Sequence, residues 1–90
     1  MGEKARIITV AGKGGVDAPV NSANLFRDMV NLKSIDFGNA FSTKHTKNMS
    51  MMFTNCKSLE ELDVRFFETD QVTNMASMFN ECFNLTTLNV

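Results

Sequence analysis

The sequence predicts a right-handed α/β solenoid of about three coils, each a short helix, a short parallel strand and a return loop, closed at its N-terminus by a strand cap. Three observations lead there. Apolar residues recur at an offset of 26 or 27 positions, their spacing within each copy changes from helical to alternating, and the run Ile7-Ile8-Thr9-Val10 precedes the first copy. A chain of 90 residues makes at most one small domain, and stacked coils let short units bury apolar faces that none could bury alone.

The N-terminal cap spans residues 1–20, with Arg6–Val10 as an opening strand and Gly14-Gly15 supplying positive φ in a hairpin-like turn. Repeat 1 covers residues 21–47, repeat 2 residues 48–73 and a truncated repeat 3 residues 74–90. Repeats 2 and 3 begin NMSMMFTNCKSLEELDV and NMASMFNECFNLTTLNV. An offset of 26 pairs Met49 with Met75, Met52 with Met78, Phe53 with Phe79, Cys56 with Cys82, Leu59 with Leu85, Leu62 with Leu88 and Val64 with Val90. Repeat 1, NSANLFRDMVNLKSIDF, sets Leu25, Phe26, Met29, Leu32, Ile35 and Phe37 against repeat 2 at an offset of 27. The extra residue lies near Gly38-Asn39-Ala40, where a connection accepts an insertion cheaply.

Inside a repeat, Met49, Met52, Phe53 and Cys56 are spaced i, i+3, i+4, i+7, the face of two helical turns. Asn48 or Ser50 is placed to cap that helix. Leu59 covers a bend, Leu62-Asp63-Val64 alternates as a short strand, and Glu68 to Thr73 returns the chain. The strands are expected to stack as one parallel sheet about 4.8 Å apart. Val90 ends the sequence without a return loop or a polar cap, so a fragment of a longer array, or an end that pairs with another molecule, is expected.

Composition narrows the classes of function. With 43% hydrophobic and 21% charged residues and a net charge of −1, the chain lacks the basic footprint of a nucleic-acid binder. No apolar run approaches the roughly 20 residues of a membrane span, and MGEKAR does not open a signal peptide. Seven Met and eight Phe, with no Trp or Tyr, point to a core of repeated Met and Phe positions.

The pattern Asn-Met-x-x-Met-Phe-x-x-Cys-x-x-Leu-x-x-Leu-(Asp/Asn)-Val, read at Asn48–Val64 and Asn74–Val90 with Phe67–Thr73 between, resembles the BspA-like surface-protein repeat, a leucine-rich-repeat relative. Asn24 to Met49 is similar to the way such arrays begin, with departures at Met29 and at Lys44-His45-Thr46-Lys47. The resemblance implies a microbial protein, secreted or at the cell surface, that serves adhesion or protein–protein contact.

Candidate chemistry is sparse. Gly12-Lys13-Gly14-Gly15-Val16 looks like the start of the phosphate loop of ParA/MinD-type ATPases, but Asp17-Ala18-Pro19 follows where a Lys and a hydroxyl are needed. Cys56 and Cys82 hold equivalent positions and read as a buried column of thiols, with a disulfide as the alternative. Two Cys and a distant His45 make neither a zinc site nor a nucleophile pair. Asn48/Asn74 and Thr43/Thr69 read as ladders bonding the backbone at the turns. No catalytic, cofactor-binding or metal-binding residue is therefore expected, and the chain is read as no enzyme. The candidate contact face is the set of outward strand positions Ser34, Asp36, Glu61, Asp63, Arg65, Thr87 and Asn89, mildly acidic and suited to a basic or polar macromolecule; Arg65-Phe66 is a rival contact if Phe66 points outward. The expected function is a binding module with a protein or other macromolecular partner. A spacer or stalk segment that self-associates through its C-terminal coil is the alternative.

Overall fold

The computed structural model describes the backbone of residues 6–9, and residues 15–38 and 41–89 in full. Its strands are β1 (Arg6–Thr9), β2 (Val16–Asp17), β3 (Leu32–Asp36), β4 (Phe41–Ser42), β5 (Glu61–Asp63) and β6 (Thr87–Asn89). All pairing is parallel: β1 with β3, β2 with β4 and β5 with β6. Arg6–Thr9 thus forms the opening strand of the expected cap, while Val10 and Gly12–Gly14 lie outside the described residues.

The predicted α/β solenoid with a short helix in each coil is overturned. No helix occurs among the described residues, and the strands form three separate two-stranded sheets rather than one stacked sheet. The reason lies in the backbone of the segments read as helical. Asn24 and Asp28, Met51 and Asn55, and Ser77 and Glu81 all take positive φ, between 55° and 66°. These are equivalent positions of the three repeats, and a left-handed residue every fourth position stops a right-handed helix from propagating. Instead the chain closes successive i→i−3 turns: Met52 N–H donates to Met49 O, Thr54 to Met51 O and Cys56 to Phe53 O, at 3.2–3.3 Å. Positive φ at the third residue of such a turn is what type II geometry requires.

The intervening N–H groups point along the stack. Those of Met49, Met51, Phe53 and Asn55 donate to the carbonyls of Asn74, Ala76, Met78 and Asn80 at 2.8–2.9 Å. One repeat earlier, Ser22, Asn24, Phe26 and Asp28 donate in the same way to Asn48, Ser50, Met52 and Thr54. Asn21, Asn48 and Asn74 form parallel bridges at the head of each segment. Every second N–H therefore closes a local turn and the others tie one repeat to the next, which satisfies the backbone without a helix.

Burial follows the apolar pattern even though the element does not. Met49, Met52, Phe53, Cys56 and Leu59 are fully buried and centre the core on repeat 2. The rings of Phe26, Phe53 and Phe79 stack in a column, with centroids 5.4 and 5.7 Å apart and planes 6° and 3° from parallel. A second aromatic group joins Phe37, Phe41, Phe66 and Phe67 beside the return segments. Repeat 3 is less covered: Met75 is 45% exposed, where its counterpart Met49 is fully buried.

Candidate interaction face

Parallel register sets the outward strand residues in rows. Glu61 lies beside Thr87 and Asp63 beside Asn89, with Leu62 buried between the two acids. Ser34 of β3 joins them, and Ser34, Glu61, Asp63, Thr87 and Asn89 line one shallow depression of about 230 Å³. The structure thus brings five of the seven expected contact residues to a single surface. Asp36 borders an adjoining depression of about 200 Å³ shared with Asp63 and Phe66, and its Oδ1 accepts from the Gly38 N–H at 2.9 Å.

Arg65 is diverted. Its Nε donates to Asp63 Oδ1 at 3.0 Å and its Nη2 to Oδ2 at 2.8 Å, while its backbone N–H donates to the same Oδ1. This two-pronged contact holds the Asp63 carboxyl below the usual carboxylate range and raises the guanidinium. Both groups are exposed, so the pair adds little stability. Its effect is on charge: Asp63 is neutralised locally, and Glu61 and Asp36 carry the acidic character of the face. Phe66 is partly exposed, yet its ring packs on Phe37 and Phe67 with centroids 5.4 and 5.0 Å away.

An apolar depression of about 340 Å³, which sequence reasoning missed, lies among Val64, Phe67, Met75, Met78 and Phe79. It opens where the column of buried Phe and Met side chains runs out at repeat 3.

The polar repeat positions act on the backbone. Asn21, Asn48 and Asn74 each accept through Oδ1 from the N–H two residues on, at 2.9–3.1 Å, and so start each turn segment. Thr43 is buried, and its hydroxyl donates to Glu68 O and accepts from Glu68 N–H. Thr69 is exposed and does not repeat that arrangement. Pro19 O accepts from Ser22 Oγ at 2.7 Å and from Thr46 Oγ1 at 3.3 Å, which ties the cap to repeat 1. Gly15, with φ of 104°, leads into β2.

Cys56 and Cys82 are free thiols, and the disulfide alternative does not form. Each S–H donates to a carbonyl of the preceding repeat, Cys56 to Phe26 O at 3.0 Å and Cys82 to Phe53 O at 3.1 Å. Burial pushes the Cys56 thiol up to about 11 and raises Cys82 as well. His45 is exposed, whereas Cys56 is buried. Among the described residues no group of three or more His, Cys, Asp or Glu is placed to hold a metal ion, and no helix is long and apolar enough to cross a membrane.

These features define a domain of short repeats tied in parallel through turn segments, with an exposed polar strand face. The chain belongs to the family described as "Mycoplasma protein of unknown function, DUF285", whose pattern matches residues 20–89. Neither the curated proteins nor the solved structures contain a match.

Proposed function

We propose that this domain is a non-catalytic interaction module of a microbial surface protein, and that it meets a macromolecular partner through the strand face. The observation behind this reading is the convergence of Ser34, Glu61, Asp63, Thr87 and Asn89 on one depression, on a backbone pinned by inter-repeat hydrogen bonds. A rigid, extended face of repeated strands suits recognition of another macromolecule. With Asp63 paired to Arg65, Glu61 and Asp36 offer the net negative charge, which favours a basic or polar partner. The resemblance to BspA-like repeats supports the surface location and the adhesive role.

Changing Asp36, Glu61 and Asp63 to Lys is expected to abolish capture of a partner that the natural chain retains in a pull-down. Reversal of Asp17, Glu68 and Asp70, exposed acids away from this face, leaves capture intact. Equal capture by both triple variants would remove the strand face from consideration.

A further inference from the structure

Asp36 and Asp63 hold the same position of successive repeats, 27 residues apart, and each is the last residue of its strand. In both, the carboxylate Oδ1 accepts from the backbone N–H two residues on, Gly38 at 2.9 Å and Arg65 at 3.1 Å. The side chains at that second position differ. In repeat 2 the Arg65 guanidinium forks onto the Asp63 carboxylate, with Nε on Oδ1 at 3.0 Å and Nη2 on Oδ2 at 2.8 Å. In repeat 1 the corresponding residue is glycine, which brings no side chain to Asp36. Repeat 2 shows what this strand end accepts, and repeat 1 holds the carboxylate without a guanidinium of its own.

The surface at Asp36 is hollow. Asp36 and Gly38 border a depression of about 200 Å³ together with Ile35, Phe37, Asp63 and Phe66. Pockets for free small molecules run to about 300–1,000 Å³, so this one suits a single side chain. One wall is the Phe66 ring, 42% exposed and set edge-to-face on Phe67 with centroids 5.0 Å apart and planes at 88°. An aromatic wall beside a carboxylate selects a cation, because the ring face attracts positive charge and the carboxylate pairs with it. Among side-chain cations the planar guanidinium suits both, since it stacks on a ring and offers two parallel N–H groups to one carboxylate, whereas an ammonium is a point charge.

Resting on the strand-face reading, we propose that this hollow is the subsite for one arginine side chain of a protein partner, its guanidinium paired with Asp36 and stacked on Phe66. All six lining residues belong to repeats 1 and 2. The hollow shares Ile35 and Asp63 with the larger depression of the strand face, so a partner segment lying across that face can place one side chain in it. Asp63, already met by Arg65, leaves Asp36 as the anion that the arginine meets.

Titration of the chain with acetyl-Gly-Arg-Gly-amide, followed residue by residue through the backbone amide resonances, tests this. Saturable shifts are expected at Phe37, Gly38 and Phe66, with a Kd on the order of 1–10 mM. Asp36→Asn keeps an oxygen for the Gly38 N–H but loses the charge, and is expected to weaken binding about fivefold. Phe66→Leu keeps apolar packing against Phe37 and Phe67 and is expected to weaken it about threefold. The citrulline tripeptide, uncharged at nearly the same shape, binds about fivefold less tightly to the natural chain. Glu61→Gln changes arginine tripeptide binding less than about twofold. Equal weakening by Glu61→Gln and Asp36→Asn would reduce the attraction to the diffuse charge of the face and overturn the subsite. Shifts confined to Glu61, Thr87 and Asn89 overturn the subsite but leave the strand face as a surface that takes cations. No saturable shift up to about 50 mM overturns the subsite as well, and the strand face then stands or falls on capture by the triple Lys variants.

Discussion

Phe53→Ala is expected to cost about 3–5 kcal/mol, measured by urea denaturation, and to leave the chain barely folded. Phe53 is fully buried and sits between Phe26 and Phe79, so its ring belongs to both junctions between repeats. Truncation removes the ring from both stacks at once, and neighbours whose backbones are fixed by the N–H rows cannot close the gap. A domain of this size has a net stability of roughly 5–13 kcal/mol, so the loss is a large part of the total. Phe53→Leu keeps most of the volume and is expected to cost about 1–2 kcal/mol. Phe83→Ala, at a side chain 73% exposed, is expected to change stability by less than about 0.5 kcal/mol. A Phe53→Ala cost no larger than that of Phe83→Ala would show that the aromatic column does not hold the repeats together.

Alkaline pH is expected to destabilise the fold through Cys56. Its thiol is held neutral up to about 11, against an ordinary value of 9.0, because burial strips the thiolate of water. Between these values the unfolded chain has lost the proton and the folded chain keeps it. Stability contributed by the neutral thiol is complete below pH 9 and declines by about 1.4 kcal/mol per pH unit as pH rises toward 11. Other groups titrate in the same range, so the natural chain is compared with Cys56→Ala. The stability advantage of the natural chain over the variant should hold up to about pH 9 and shrink steadily from there to pH 10.5. Parallel pH profiles would mean that Cys56 ionises in the folded state as it does when unfolded.

The spacing of the repeat and its buried positions were legible in the sequence, and the element between them was not. The spacing of Met49, Met52, Phe53 and Cys56 marks residues that share the core, and all four are buried. Two successive turns, each with a left-handed third residue, place those side chains on one side as two helical turns would. Periodicity alone cannot separate the two. Asn24, Asp28 and Asn55 at the left-handed positions were a clue, since short polar side chains tolerate that conformation. Met51, Ser77 and Glu81 at equivalent positions concealed it. At the strand face, alternation placed Glu61, Asp63, Thr87 and Asn89 outward, but it carried no sign that Arg65 would fold back on Asp63 rather than project beside it.

The junction pattern itself is tested most directly by amide hydrogen exchange resolved residue by residue. The N–H groups of Ser22, Asn24, Phe26 and Asp28, and of Met49, Met51, Phe53 and Asn55, are expected to exchange slowly, because each donates across a junction. In monomeric protein, those of Met75, Ser77, Phe79 and Glu81 should exchange fast. Fast exchange at Met49, Met51, Phe53 and Asn55, or protection at Met75, Ser77, Phe79 and Glu81 equal to theirs, would contradict the turn-to-turn ladder on which the fold rests.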